Sequence, residues 1–219
     1  MSAIEQTLLF ETQAPRTTSA MPVASSRAKR GLDFVLAGAV LLLFLPLLVL
    51  IALVIRGESP GTALFRQQRT GLNGRPFRIY KFRTMRVAED GPGIEQARRQ
   101  DARVTRVGRV LRKLSLDELP QLINVLKGDM SLVGPRPHAL CHDEVWAQTI
   151  PQYFDRFRAR PGLTGYAQVR GLRGEVTGPD SIRDRVAADN AYIERWSFLQ
   201  DVKLIAMTVP LIFNDATAY

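Results

Sequence analysis

The adjacent carboxylates Asp117 and Glu118 are the side chains whose type and setting most suggest chemistry. They stand near the start of the run 115–128, in which apolar residues recur with the period of one helical face. Pro120 has no N–H and is tolerated only in the first turn of a helix, so we expect the helix to begin between Ser115 and Asp117. Both carboxylates would then lie among unpaired backbone N–H groups. The apolar positions are Leu119, Leu122 and Leu126, and the stop signals are Lys127 and Gly128.

Two interpretations of this run are open from its own residues. Ser115-x-x-Glu118 fits a capping box, in which the acidic residue only stabilises the helix start. Alternatively the run is a phosphate site, because a helix N-terminus surrounded by Arg and Lys attracts phosphate. A carboxylate placed there would attack phosphorus or hold a metal ion. The nearby cations are Arg103, Arg106, Arg109, Arg112 and Lys113, and the rigid segment Gly134-Pro135-Arg136-Pro137 follows the run.

The composition narrows the class of protein. At 219 residues the chain is long enough for one domain with appendages. A total of 30 Lys and Arg against 21 Asp and Glu gives a formal charge of +9, so we expect an anionic partner such as a membrane surface, a nucleic acid or a phosphorylated substrate. Cys141 is the one cysteine, which excludes an intrachain disulfide. His138 and His142 lack a convincing third ligand, so zinc is not expected.

The N-terminal part of the chain divides into a tail and a membrane segment. Residues 1–26 mix Ser, Thr, Ala, Gln and Pro without a sustained period and are predicted to form a flexible tail. Residues 27–56 are predicted to form a membrane helix. Its stretch 34–55 has no charged residue and, at about 1.5 Å per residue, can cross a hydrocarbon core of about 30 Å. A cleaved signal peptide fits poorly, since no small-residue cleavage pattern follows the segment.

The charges around this helix favour a re-entrant path. Within about 20 residues on each side the two flanks carry similar positive charge, so the positive-inside rule places both in the cytoplasm. Pro46 removes one helical hydrogen bond in the middle and produces a kink. We therefore expect a helix that enters, bends and returns, although a kinked spanning helix stays open as the alternative. The flanking cations are Arg16, Arg27, Lys29 and Arg30 upstream, and Arg56, Arg66, Arg69 and Arg75 downstream.

Residues 57–219 are predicted to form a domain docked on the cytoplasmic membrane face, and the resemblance described below implies that this domain is catalytic. Two short strands, 62–68 and 77–84, are joined through Gly71-Leu72-Asn73-Gly74, which indicates a β-hairpin. Helical periods appear at 103–114, 141–158 and 189–210, while 130–137 reads as extended and 158–174 as irregular. Helix 103–114 and the apolar stretch 204–213 suit interfacial docking. Tyr192 and Trp196 fit either headgroup depth or the core. The fold class is therefore α+β and mostly helical.

A series of motifs, in order over about residues 28–215, resembles the bacterial sugar transferases and, more specifically, the monotopic phosphoglycosyl transferases. The resemblance begins with Lys29-Arg30-x-x-Asp33 before a proline-broken apolar run. It continues through Tyr80-Lys81-Phe82-Arg83-Thr84-Met85, Arg106-Val107-Gly108-Arg109, Ser115-Leu116-Asp117-Glu118-Leu119-Pro120-Gln121 and Lys127-Gly128-Asp129-Met130-Ser131-Leu132-Val133-Gly134-Pro135-Arg136-Pro137. It ends with Arg160-Pro161-Gly162-Leu163-Thr164-Gly165 and Trp196-Ser197-Phe198.

This resemblance implies a reaction at the cytoplasmic face of the bacterial inner membrane. Family members move a sugar-1-phosphate from a UDP-sugar to undecaprenyl phosphate, release UMP, and so initiate exopolysaccharide or related glycan synthesis. By resemblance, Asp117 is the nucleophile that forms a covalent phosphosugar intermediate, and Glu118 assists as base or orienting group. Mg²⁺ is the implied cofactor, with Asp117 as its protein ligand. Lys81, Arg83, Arg112 and Arg136 are carried over as the residues that contact the phosphates.

The sequence departs from the family pattern at two places. Leu45 precedes Pro46 where close relatives often have Ser, so the bend depends on Pro46 and packing alone. The loop after Gly165 has Tyr166 and Arg170-Gly171 in place of the commoner residues, which leaves the donor sugar open.

Two other classes of protein stay open as alternatives. The first is a basic, membrane-anchored nucleic-acid-binding protein, and the second is a membrane scaffold without catalysis. In the favoured interpretation the partners are the UDP-sugar, undecaprenyl phosphate and inner-membrane lipids, without nucleic acid. A monomer and a homodimer are both compatible with the sequence.

Overall fold

The computed structural model describes residues 21–86, 101–172, 174 and 178–214, with side chains to residue 211. The predicted tail up to residue 20 and the predicted loop at 91–100 lie outside the described residues. Residues 21–26, which the sequence placed in the tail, contain a short helix, α1 (Pro22–Ser25), and Val23 is buried in the core. The folded part therefore begins no later than Met21.

The apolar segment forms one long helix, α2 (Arg27–Glu58). The Ser26 side chain caps its start by accepting a hydrogen bond from the N–H of Lys29 at 3.2 Å. Pro46 lies inside the helix. The helix ends before Pro60, which disfavours a helical conformation of the residue preceding it. By length and composition this helix is long and apolar enough to cross a membrane.

The predicted β-hairpin is confirmed. Strands β1 (Leu64–Thr70) and β2 (Pro76–Phe82) pair antiparallel, with Gln67 opposite Ile79. The connection is longer than a two-residue Asn-Gly turn, because a 3₁₀ turn at 72–74 fills it. Asn73 adopts the left-handed region in this turn, with φ of 55°, a conformation that Asn tolerates better than most residues.

The rest of the described chain is mostly helical, with a second small sheet. The predicted helix 189–210 is two helices, since the chain turns between Glu194 and Phe198. Strands β3 (Ser131–Val133) and β4 (Gly162–Thr164) pair in parallel. Three-residue strands are too short to show a period, so the sequence predicted only an extended piece and an irregular loop here. The further helices are α3 (Arg106–Lys113), α4 (Gln121–Lys127), α5 (Leu140–Thr149), α6 (Tyr166–Val169), α7 (Pro179–Glu194) and α8 (Phe198–Asn214), with 3₁₀ turns at Leu116–Glu118 and Tyr153–Arg158.

Both ends of α2 pack against this globular part. The N-terminal arm, residues 27–41, buries Ala37 in the main core beside Val125 and Val133. The C-terminal arm, residues 47–58, buries Ile51 and Ile55 in a second cluster. Residues 42–46 between the arms are exposed. In the second cluster the arm meets Phe82 of the hairpin and Leu111 of α3.

Buried polar contacts fix the N-terminal arm. Lys29 Nζ donates to Asp201 Oδ2 of α8 at 2.6 Å. Asp33 Oδ1 accepts from the N–H of Leu132, in strand β3, at 2.9 Å. Charged groups buried in this way are held by partners rather than by packing alone.

Asp201 also accepts hydrogen bonds from two aromatic side chains. The hydroxyl of Tyr192 donates to its Oδ1 at 2.7 Å, and Trp196 Nε1 donates to its Oδ2 at 3.0 Å. Tyr192 is 1% exposed. Of the two placements that the sequence left open, the core is therefore the right one for Tyr192.

Candidate active site

Asp117 and Glu118 lie in a tight turn between α3 and α4. The 3₁₀ turn 116–118 follows Ser115, whose φ of 54° places it in the left-handed region. The α-helix begins only at Gln121, later than predicted, because Pro120 has no N–H with which to continue helical hydrogen bonding through the preceding turn. Asp117 is 9% and Glu118 7% exposed, so both carboxylates are largely removed from solvent.

The partners of Glu118 distinguish between the two interpretations of this run. Ser115 makes no side-chain cap at the turn. The Glu118 carboxylate instead accepts from Lys81 Nζ at 2.9 Å and from Arg136 Nη2 at 2.7 Å, both at Oε1. Arg136 Nη1 reaches Oε2 at 3.3 Å, which makes the Arg136 contact bidentate. The capping-box interpretation is therefore wrong, and the carboxylate lies within a cluster of cations.

Lys81 reaches this cluster from the hairpin. Burial lowers the pKa of its ammonium, and the neighbouring Glu118 opposes that change by stabilising the charged form. The negative charge of Asp117 also raises the pKa of Lys81, as that of Glu118 does. One cation thus interacts electrostatically with both carboxylates of the turn.

Arg136 is held in place through its own backbone. Arg156, which is 1% exposed, donates from Nη2 to the carbonyl oxygen of Arg136 at 2.7 Å. The same Nη2 donates to Asp189 Oδ2 of α7 at 2.7 Å. Pro135 and Pro137 fix the backbone on either side of Arg136, so the guanidinium is directed at Glu118. Arg156 was not predicted from the sequence, because neither its neighbours nor its spacing distinguish it from other arginines.

A buried polar network continues from Arg156. Its Nη1 lies 2.7 Å from Nδ1 of His138. Since guanidinium only donates, Nδ1 accepts and Nε2 carries the proton of a neutral imidazole. Burial and the charge of Arg156 hold the pKa of His138 well below its usual value. The Tyr153 hydroxyl donates to Asp143 Oδ1, and Asp143 Oδ2 accepts from Thr70 of the hairpin at 2.6 Å. The network therefore links α5, the 3₁₀ turn 153–158 and β1 behind the site.

Of the four residues predicted to contact phosphate, Lys81 and Arg136 meet at Glu118. Arg83 donates from Nη2 to the carbonyl of Ser59 at 2.7 Å and from Nη1 to the carbonyl of Pro60, at the end of α2. Arg112 lies half-buried in the last turn of α3, and its carbonyl accepts from the N–H of Ser115 at 3.1 Å. Arg112 thus borders the 116–118 turn along the chain, whereas Arg83 is engaged at the end of α2.

Comparison with models of known protein families identifies the class to which this protein belongs. The model of the bacterial sugar transferase family matches residues 24–215, nearly the whole described chain. The chain therefore belongs to that family, and the resemblance stated from its motifs is confirmed.

Individual relatives make the class more specific. Over 197 residues the chain is 57% identical to the UDP-glucose:undecaprenyl-phosphate glucose-1-phosphate transferase of Caulobacter vibrioides, covering 90% of this chain and 74% of that protein. Enzymes of the same name are 48% identical over 191 residues in Escherichia coli and 46% over 193 residues in Xanthomonas campestris pv. campestris. Those two matches cover 87% and 88% of this chain but 41% and 40% of the relatives, so the chain spans about two fifths of their length.

Proposed function

We propose that this protein transfers a sugar-1-phosphate from a UDP-sugar to undecaprenyl phosphate and releases UMP, which initiates exopolysaccharide or related glycan synthesis. The observation that carries the proposal is the buried Asp117-Glu118 pair, with Glu118 held between Lys81 and Arg136. The printed names of the relatives support the same reaction, and they make glucose the first sugar to test.

The reaction is two displacements at one phosphorus atom. The Asp117 carboxylate attacks the phosphorus that bears the sugar, forms an O–P bond and breaks the diphosphate bond, so that UMP leaves. A phosphate oxygen of undecaprenyl phosphate then attacks the same phosphorus and releases Asp117 as carboxylate. Lys81 and Arg136 are the cations that would offset the repulsion between a carboxylate and a diphosphate, and their ion pairs with Glu118 support this role. Glu118 acts as the group that orients these two cations.

Magnesium fits the donor set of this site. Among the described residues no group of three or more His, Cys, Asp or Glu assembles as a metal cluster. Mg²⁺ does not need one, because it commonly keeps one or two protein carboxylates and takes its remaining ligands from phosphate and water. Asp117, the carboxylate that the family resemblance assigns to the ion, is the residue that would hold it. When bound, Mg²⁺ supplies positive charge to the diphosphate.

The packing of α2 supports a monotopic arrangement on the cytoplasmic face. Lys29 in the N-terminal arm and Ile55 in the C-terminal arm are both buried against the globular part that carries Asp117. A helix that crossed the bilayer would carry its two ends to opposite sides, whereas these ends meet one domain. We therefore propose that residues 42–46 form the deepest part of a re-entrant helix. The exposed apolar side chains of α8 extend the membrane-facing surface. They are Phe198, Leu199, Val202, Met207 and Val209.

The proposal is tested by UMP release in the presence of Mg²⁺ and undecaprenyl phosphate. UDP-glucose, UDP-galactose and UDP-N-acetylglucosamine form the donor panel, and wild type is compared with Asp117→Asn. We expect release by wild type alone, from one or two donors, and a sugar-phosphate adduct on Asp117 when the acceptor is omitted. Equal release by Asp117→Asn would remove this residue as the nucleophile. No release from any donor would favour a scaffold role instead.

A further inference from the structure

A groove of about 850 Å³ lies between the C-terminal arm of α2 and the hairpin. Part of its lining is apolar, and part is formed by three arginines that approach from different elements. The apolar side chains are Ala52, Leu64 and Phe65, and the arginines are Arg56, Arg66 and Arg83. The proposed reaction does not use these residues. Among them, only Arg83 was expected from the sequence to contact a phosphate of the substrate.

The charge of the groove is of one sign. Its described lining contains three guanidinium groups and no carboxylate. Guanidinium groups bind phosphate oxygens through paired N–H donors and are more weakly hydrated than ammonium groups, which suits a site at the edge of water. The ligand that complements this surface carries a phosphate next to an apolar portion.

Arg83 is built into the groove rather than lying on its surface. It is 9% exposed, and its Nη atoms donate to the carbonyls of Ser59 and Pro60. Its buried Nε has no hydrogen-bond partner among the described residues. Gly61, with φ of 113°, passes so close that a Cβ there would collide with Arg83 Nη1. The backbone at the end of α2 is thus shaped around this cation.

Arg66 is also restrained. Its guanidinium carbon lies 5.7 Å from the centroid of the Tyr80 ring, within the range of a cation–π contact. Tyr80 stands opposite Arg66 in the hairpin register. A restrained cation loses less conformational freedom when it binds an anion, which favours a specific site over loose surface attraction.

The groove lies beside the apolar surface of the C-terminal arm and apart from the catalytic turn. Arg56 directly follows the uncharged stretch 34–55, and the nearby Leu53 is 62% exposed. Lys81 donates to Glu118, whereas Arg83, two residues later, donates to the end of α2. With this arm in the membrane, the three arginines lie at headgroup depth.

We propose that this groove binds one anionic bilayer phospholipid, with its phosphodiester held by Arg56, Arg66 and Arg83 and the start of an acyl chain against Ala52 and Phe65. The lipid would connect the arm to the hairpin and fix the depth of the domain at the membrane. This inference rests on the membrane association in the proposed function, and it does not depend on the identity of the transferred sugar.

The test measures binding of phosphatidylglycerol to the full chain in detergent micelles. Arg56→Gln/Arg66→Gln is compared with Arg75→Gln/Arg78→Gln, which removes the same charge from exposed positions of the hairpin. We expect the first pair to weaken binding by about 10-fold or more, and the control pair by less than about 2-fold, as loss of specific guanidinium–phosphate contacts predicts. Arg66→Lys serves as a second variant, since it keeps the charge but loses the paired donors, and we expect intermediate binding.

Three outcomes would overturn the proposal. The first is equal loss of binding in both double variants, which would indicate nonspecific charge attraction. The second is unchanged binding in Arg56→Gln/Arg66→Gln. The third is displacement of phosphatidylglycerol by undecaprenyl phosphate at a much lower concentration, which would make the groove a site for the acceptor. UMP release is measured on the same samples, so that failure of the transferase assay with intact groove binding is distinguished from the reverse.

Discussion

Arg156 donates a hydrogen bond from Nη2 to the main-chain oxygen of Arg136 at 2.7 Å, while the guanidinium of Arg136 holds Glu118. One buried arginine thus sets the position of another through the backbone. Asp189 lies 2.7 Å from the same Nη2, which compensates the charge of Arg156 in the interior. The geometry around Glu118 therefore depends on a residue that does not contact it.

Replacing Arg156 with Lys should lower kcat by about 10- to 100-fold with little change in KM, because a single ammonium nitrogen cannot reproduce the contacts that Arg156 makes from two nitrogens, Nη2 with the Arg136 carbonyl and Asp189 and Nη1 with His138. Steady-state UMP release measures both constants. Arg158→Lys is the matched control, since Arg158 lies in the same 3₁₀ turn with its side chain 20% exposed and paired to Asp155. A change in KM alone for Arg156→Lys would contradict a positioning role.

Lys81 and Arg136 share Oε1 of Glu118, so their contributions to catalysis should not be additive. Each single change to Met should reduce kcat/KM by about 100-fold or more, as expected for groups that stabilise transition-state charge. The double variant should lose less than the product of the two single losses. The four kcat/KM values of this cycle test the expectation. Strictly multiplicative losses would show that the two cations act independently.

The two ends of α2 should be accessible from the same side of the membrane. Ala28 and Gly57 are exposed and flank the apolar stretch, so each can be changed to Cys in a Cys141→Ser background. A membrane-impermeant maleimide should label neither position in intact cells and both in inverted vesicles. Leu43→Cys serves as a control for a position in the bend. Labelling of either flank in intact cells would mean that the helix spans the membrane.

The buried His138 predicts a loss of stability in mild acid. Its pKa in the folded state is held well below the usual 6.5, so the imidazole stays neutral while the unfolded chain takes up a proton. The stabilising contribution is complete above the unfolded pKa of about 6.5 and falls as pH decreases below it, by up to about 1.4 kcal/mol per pH unit. Thermal unfolding between about pH 7.5 and about pH 5.5 measures this decline.

His138→Gln removes the titrating group and should flatten that dependence on pH. The amide oxygen of Gln can still accept from Arg156, so the fold should persist. His142→Gln, a change at a half-buried imidazole nearby, should leave the slope as in wild type. Equal slopes for wild type and His138→Gln would show that His138 contributes nothing to the acid sensitivity.

The sequence predicted the features that depend on local pattern. The hairpin followed from its Asn-Gly turn, and α2 followed from the uncharged stretch 34–55. Asp117 and Glu118 were predicted at the start of a helix, whereas they lie in a 3₁₀ turn and the α-helix begins only at Gln121. Lys81 and Arg136 were chosen from motifs, and the structure brings both to Glu118.

The features that the sequence missed depend on long-range contacts. The β3–β4 pair joins segments about 30 residues apart, and each strand is too short for a periodic signal. The close approach of Gly134 to the Arg160 carbonyl allows this pairing, because a Cβ at residue 134 would collide with that oxygen. Arg156 acts on the site through its hydrogen bond to the carbonyl of Arg136. Every residue has a backbone carbonyl, so this contact cannot be predicted from residue types.

The buried ion pair between Lys29 and Asp201 has a consequence for biogenesis. The two residues are separated by 172 positions, so the ribosome makes the apolar arm long before it makes the counter-ion. Until α8 is synthesised, the ammonium has to remain hydrated or associate with lipid phosphates, because an unpaired charge is costly to bury. The N-terminal arm therefore cannot complete its buried contacts before α8 has been synthesised, which makes α8 the element that neutralises the charge of this arm.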